Sequence, residues 1–322
     1  NLAALNACVA EVGEKLGDRQ RVLPVIIMIP YLSREAKDFG DLDGDGNPEN
    51  PTQDTGRVAA MRWLVDQVLA RFAAGQYPHL KLWGFWMNEG IGPDDEATVR
   101  AVADYVHGQG YGLHWIPYFQ APGAAKWRDL GFDFAIIQPN FAFMGPLPGA
   151  IVNDEDRLTR NALDAASLGL GVEMEMDNGV EADPGKRLNL QLYLNHGVEA
   201  LDGYMARSVR AYYQGYDSIA RLYASPLPEC HRLYEDLYHF HKGTYQRRRL
   251  SLGEGAPCRV NGTLAPRLTD GLWLTQPGQT DRLVTASLPA TLALTLGAGQ
   301  VVGEVRLQVA VAAAQTALPQ AL

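Results

Sequence analysis

Between residues 22 and 249 short apolar or aromatic runs alternate with segments of helical periodicity, and no other feature constrains the fold as tightly. "VLPVIIMIPYL" (22–32) reads as a buried strand; an acidic Gly-rich loop and "GRVAAMRWLVDQVLARFAAG", whose apolar spacing is helical, follow it. "LKLWGFWMNEG" (80–90) is the next strand, and "PDDEATVRAVADYVHGQG" is its helix, with acids in the first turn and Gly at the end. "YGLHWIPYFQ" (111–120), "FDFAIIQPNFAF" (132–143), "GLGVEMEMD" (169–177) and "ALDGYMARSV" (200–209) continue the series as strands. Repeated βα units of this kind make a parallel sheet, closed or open.

Polar and aromatic residues collect at the C-terminal ends of these runs: Tyr31, Glu89, Tyr118, Gln120, Gln138, Asn140, Glu175, Asp177 and Arg207. A (β/α)8 barrel builds its active site there. An open doubly wound sheet would concentrate ligand groups at one switch point and carry a glycine-rich phosphate loop. "GLGVEM" lacks the third glycine and precedes a strand, so it is no dinucleotide fingerprint. The expected fold is therefore a TIM-type (β/α)8 barrel over residues 1–249. The runs make six strands, two short of closure, and the reading places the missing strands before Asn1. From 250 to 322 the sequence turns to strand-length runs punctuated by Gly and Pro, which reads as a partial β-sandwich module.

Glu173, Glu175 and Asp177 alternate with Val172, Met174 and Met176, so a strand here points three carboxylates to one face. Glu89 ends an aromatic-rich strand (Trp83, Phe85, Trp86). Two carboxylates across an aromatic-lined cleft are what glycoside hydrolysis needs: one protonates the leaving oxygen, the other attacks the anomeric carbon or activates water. Crowding of like charge should raise at least one pKa, which suits an acid that must hold its proton. The expected catalytic residues are Glu89 with Glu175 or Glu173. Expected substrate contacts are Tyr31, Asn88, Trp115, Tyr118, Gln138, Asn140, Asp177, Arg207 and Tyr212, as stacking platforms or hydroxyl partners. The bland alternative has these acids paired with Arg207 or other arginines.

"DLDGDGNPENPT" places Asp41, Asp43 and Asp45 at alternate positions with Gly46 sixth, as in a calcium loop, but Thr52 stands where a bidentate Glu belongs. A partial structural Ca2+ site and a merely polar loop fit this equally, and a third reading lets it wall the substrate cleft. No other cofactor is expected. His114, in a strand, reads as a satisfied structural histidine; His239 and His241, two apart on a helix, cannot share a ligand face. A net charge of -9 argues against nucleic acid, and the run at Arg247, Arg248 and Arg249 reads as a solvated helix end or linker. The three cysteines are too widely spaced for a disulfide framework, and no apolar run is long enough for a membrane helix. A non-catalytic carbohydrate-binding barrel is the second hypothesis. A metal-dependent lyase or aldolase would need a strand-end Lys or a metal set that the sequence does not supply.

"LWGFWMNEG", "HWIPYFQAPGAAKWRDLGFDFAIIQPNF", "GLGVEMEMD" and "YYQG" resemble, in order and spacing, the bacterial domain-of-unknown-function family 4855, over roughly residues 20 to 245. The resemblance implies a glycoside-hydrolase-like barrel, secreted or at the bacterial cell surface, acting on a poly- or oligosaccharide. "GAPCRVNGTLAPRLTDGLW", with Leu268 to Gly271 as its most telling part, and "LALTLGAGQVVGEVRL" resemble the start of a discoidin-like (F5/8 type C) carbohydrate-binding module. By analogy with retaining glycosidases, Glu89 would be the acid/base and Glu175 or Glu173 the nucleophile.

Overall fold

A computed structural model describes residues 1–31, 34–35, 39–42, 44–143, 156–198, 203–250, 258–264 and 291–294. Its main sheet holds six strands in the order β1 (Leu23–Met28), β2 (Leu80–Asn88), β3 (Gly112–Ile116), β4 (Phe134–Ile137), β5 (Gly171–Glu175) and β6 (Arg210–Tyr213). Spatial order equals chain order, and the pairings from β1 to β5 are parallel. At β5 and β6 the amides of Val172 and Met176 reach the carbonyls of Val209 and Tyr213, four residues on in both strands, so these two also run together. An unreversed parallel order needs crossovers of one hand. Four of the five run through α2 (Asp54–Gly75), α3 (Glu96–Gly108), α4 (Asp156–Leu168) and α5 (Pro184–His196), and the one from β3 to β4 has only a 3-10 turn, Ala124–Lys126; α1 (Leu2–Lys15) precedes the sheet, and α6 (Ser218–Ala224) and α7 (Pro228–Lys242) follow it.

Two of the strand expectations are corrected. β1 is half-exposed along its length rather than a buried strand, because among the described strands it has a sheet neighbour on one side only. The sixth strand is Arg210–Tyr213, not 200–209. Within the expected run Tyr204 belongs to a loop instead: it is buried against Phe240 of α7 and donates its hydroxyl to the Tyr193 carbonyl of α5.

Chain contacts divide the molecule into two units. The first comprises Asn1–Asn140, Asp164–Met174 and Ser208–Tyr212; the second comprises Phe141–Leu163, Glu175–Arg207 and Tyr213–Leu322. In the first unit, sheet register separates two faces. Phe85, Met87, Leu113, Trp115, Ala135, Ile137, Val172 and Met174 are buried on one; Met61 of α2 and Val99 and Val102 of α3 line a small cavity with Met87, which marks this as the helix-facing core. Trp86, Asn88, His114, Ile116, Phe134, Ile136, Gln138 and Glu173 share the other face. Val25 pairs with Leu82 but Ile26 with Gly84, so β2 bulges at Trp83 and turns that indole toward the rings of His114 and Phe134.

In the second unit a polar clamp fastens the segment after α7. Asn195 accepts from the Arg248 amide and donates to its carbonyl, Tyr245 donates to Asn195, and the Arg248 guanidinium grips the buried Asp236 carboxylate through three hydrogen bonds. Arg248 is thus tied down rather than part of a solvated end. A small antiparallel sheet, β7 (Cys258–Val260) between β8 (Thr263–Leu264) and β9 (Leu292–Leu294), also belongs to this unit. The Leu268 to Gly271 stretch lies outside the described residues. Among the described residues no helix is long and apolar enough to cross a membrane.

Candidate active site

A residue beyond each of β2, β3 and β4 sets up one end of the first unit. Glu89, directly beyond β2, has φ 76°, and Gln120 and Asn140, in the loops after β3 and β4, have φ 60° and 53°. A left-handed backbone at a residue with a Cβ costs energy that surrounding contacts must offset, and such residues collect at functional sites. The contacts holding Glu89 are visible. Its carbonyl accepts the Trp115 indole N–H at 2.9 Å, and the Ile91 amide bonds the Pro122 carbonyl at 2.9 Å. A Cβ on the intervening Gly90 would lie 2.8 Å from the Tyr118 hydroxyl and 2.6 Å from Pro122 Cδ. The fixed backbone leaves the Glu89 side chain exposed.

Glu173, in the middle of β5, is the opposite case. Only 5% of it is exposed, and its Oε2 has no hydrogen-bond partner among the described residues. Burial pushes its carboxyl above the ordinary value, against the weaker opposing pull of a hydrogen bond from Gln138. Gln138 is placed by its own amide, which bonds the Pro117 carbonyl, and by a single parallel bridge to Tyr118. Glu89, Tyr118 and Gln138, beyond the ends of successive strands, and Glu173, within the next one, therefore belong to one unit: an exposed carboxylate, a phenol, an amide, and a buried carboxyl disposed to keep its proton.

Other expected site residues are occupied differently. Trp115 lies on the helix-facing side, fully buried and stacked on Phe132 at 5.1 Å, so it is core and a hydrogen-bond donor to Glu89 rather than a sugar platform. Tyr31 donates to Asp95, which also receives Arg57 at 2.5 Å and Arg34 at 2.9 Å. Burial works to raise the Asp95 carboxyl, but the combined hydrogen bonds from Tyr31, Arg57 and Arg34 outweigh it and hold the group below the usual range. Asn88 approaches Glu89 Oε1 at a marginal 3.5 Å. Tyr212, on β6, is half-buried, and burial raises its phenol. His114 is buried on the Glu173 face, stacked 3.8 Å from Phe134, but neither ring nitrogen has a hydrogen-bond partner among the described residues. The satisfied histidine expected from sequence is therefore unsatisfied, and burial lowers its pKa to about 4.

Within the second unit, Glu175 is 0% exposed, and Tyr193 of α5 donates its hydroxyl to Glu175 Oε2. The same hydroxyl accepts the Phe141 amide at 3.2 Å. Burial first, then the Glu175 charge, raises the Tyr193 phenol well above its ordinary value, so it stays a donor. Asp177 takes the Gly179 amide on Oδ1 and pairs with Lys186 at 3.2 Å on Oδ2, so the cation beside this acid is a lysine of α5. Arg207 is exposed in the turn before β6, at the strand's entrance and not at its end. Tyr193, Lys186 and His114's isolation were missed, the first two because their partners lie 18 and 9 residues away on another element.

In the acidic loop, Asp41 accepts the amides of Gly44 and Gly46, and Asp45 accepts that of Asn47, a turn closed by its own side chains. Asp43 lies outside the described residues, among which no group of three His, Cys, Asp or Glu gathers as a ligand set. A family model, Domain of unknown function (DUF4855), matches residues 1–239. No curated protein matches the chain.

Proposed function

The chain belongs to the DUF4855 family, and on that premise we propose that it cleaves glycosidic bonds in a poly- or oligosaccharide outside the cell, on a barrel of the (β/α)8 type. One observation carries the reading: Glu173 is a nearly buried carboxyl with an unpartnered oxygen and a raised pKa, on a strand whose unit also presents an exposed carboxylate, Glu89, on strained backbone. A carboxyl that keeps its proton can protonate the glycosidic oxygen as the bond to the anomeric carbon breaks. This reverses the roles that the resemblance implied: the second carboxylate, Glu89, attacks that carbon, or takes a proton from the attacking water, as the bond breaks. Tyr118 and Gln138 supply hydroxyl partners.

The test is reducing-sugar release from a panel of plant and bacterial polysaccharides. Glu173→Gln and Glu89→Gln should each lower the rate by about 10² or more, while Glu175→Gln reports whether the Tyr193-bound carboxylate takes part. Full activity in both of the first two variants would sink the proposal. The anomeric configuration of the first product then reads the carboxyl spacing as retention or inversion. A non-catalytic carbohydrate-binding role is the second reading; it is favoured by the sealed position of Glu175, and glycan binding that survives all three substitutions without turnover would establish it.

A further inference from the structure

The second unit carries exposed aromatic side chains that the acids do not use, and we propose that they form a binding subsite for a neutral pyranose ring. Phe143, beyond β4, and Tyr213, the last residue of β6, meet edge to face with centroids 5.7 Å apart, and each is 44% exposed. Tyr216, three residues on, is 89% exposed. Rings left in water cost free energy that packing elsewhere would recover, whereas the axial C–H face of a sugar covers them without demanding a deep pocket.

The surroundings are built and not accidental. Lys186 bonds the carbonyl of Ala142, next to Phe143, at 3.1 Å and the Asp177 carboxylate at 3.2 Å, joining the Phe143 segment to the loop after β5. The Asn178 side-chain oxygen accepts the Tyr216 amide at 3.2 Å, and Arg221 donates to the Asn178 carbonyl. Gly215 sits at φ 61°, where an added Cβ would meet Asn178 Oδ1 at 2.0 Å, so the turn presenting Tyr216 accepts no side chain there. The polar rim offers a carboxylate, an ammonium and an amide, with the two charges paired to each other. A rim that balances its charge while offering both donors and acceptors suits a polyol better than an ion. The choice of a carbohydrate over other uncharged polyols rests on the proposed activity.

The probes are cellohexaose, xylohexaose, mannohexaose and maltohexaose, titrated calorimetrically against the Glu173→Gln chain. At least one should bind, and Phe143→Ala and Tyr213→Ala should each weaken it tenfold or more, while Tyr213→Trp, which keeps a ring, retains it. Melting curves identify any variant that fails to fold, and Tyr213→Trp against Tyr216→Ala then carries the test. Binding to none of the four, or binding unchanged by loss of these rings, overturns the subsite. A change in sedimentation with no change in glycan affinity assigns the patch to protein contact and likewise overturns it. Polysaccharide hydrolysis by the unmutated chain is measured in parallel: ring-dependent binding without hydrolysis keeps the subsite and refutes the activity, and hydrolysis with ring-independent binding does the reverse.

Discussion

The charged form of Glu173 loses water that one amide, Gln138, only partly replaces. The folded chain thus holds this proton more tightly than the unfolded one, and stability falls as pH rises from the ordinary carboxyl range through the raised folded value. Glu173→Gln should therefore melt higher than the parent at pH 7 while losing activity, as thermal scans at pH 4 and pH 7 would show. His114 works with the opposite slope. Its folded pKa of about 4 lies below the ordinary 6.5, so the unfolded chain binds more protons between those values and stability drops as pH falls through that window. The full difference is about 3 kcal/mol. His114→Phe keeps a ring against Phe134 and should flatten urea-derived stability between pH 4 and 6.5; an unaltered slope would mean that other groups set it.

Asp95 illustrates how elements are tied together. It stands in the short 3-10 turn before α3, and it collects Tyr31 and Arg34 from the segment beyond β1 and Arg57 from α2. Arg57 is buried, so Asp95→Ala takes away its 2.5 Å ion pair and leaves the more distant Asp54, at 3.8 Å, to face the guanidinium, and a loss of roughly 3 kcal/mol is expected in chemical denaturation. Arg34→Ala, at the exposed side of the same carboxylate, should cost under about 1 kcal/mol. The sequence made Tyr31 look like a ligand because its position at a strand end was legible and its partner, 64 residues away, was not. The same limit explains Trp115. Alternation along β3 is masked when both faces are apolar, so which side its indole takes emerges only from the register with β2 and β4.

Across the molecule, the order of strands and helices was legible because periodicity is a local property, and five of the six expected strands lie where the runs predicted them. The alternation at Glu173 and Glu175 was legible as a strand, and both lie in β5. Their burial was not legible, since that depends on what packs above the strand. The sixth strand was misplaced because Tyr204 and Met205 are as apolar as strand residues, and Tyr204 is buried from a loop. One further consequence concerns how such a chain would change under laboratory evolution. Glu89 occupies a backbone conformation that glycine adopts freely and alanine does not. Glu89→Gly should then melt above Glu89→Ala by the equivalent of about 1 kcal/mol, although neither retains the carboxylate. A library screened for heat resistance alone would drift toward glycine at this position, and only a screen that also demands turnover would hold the glutamate.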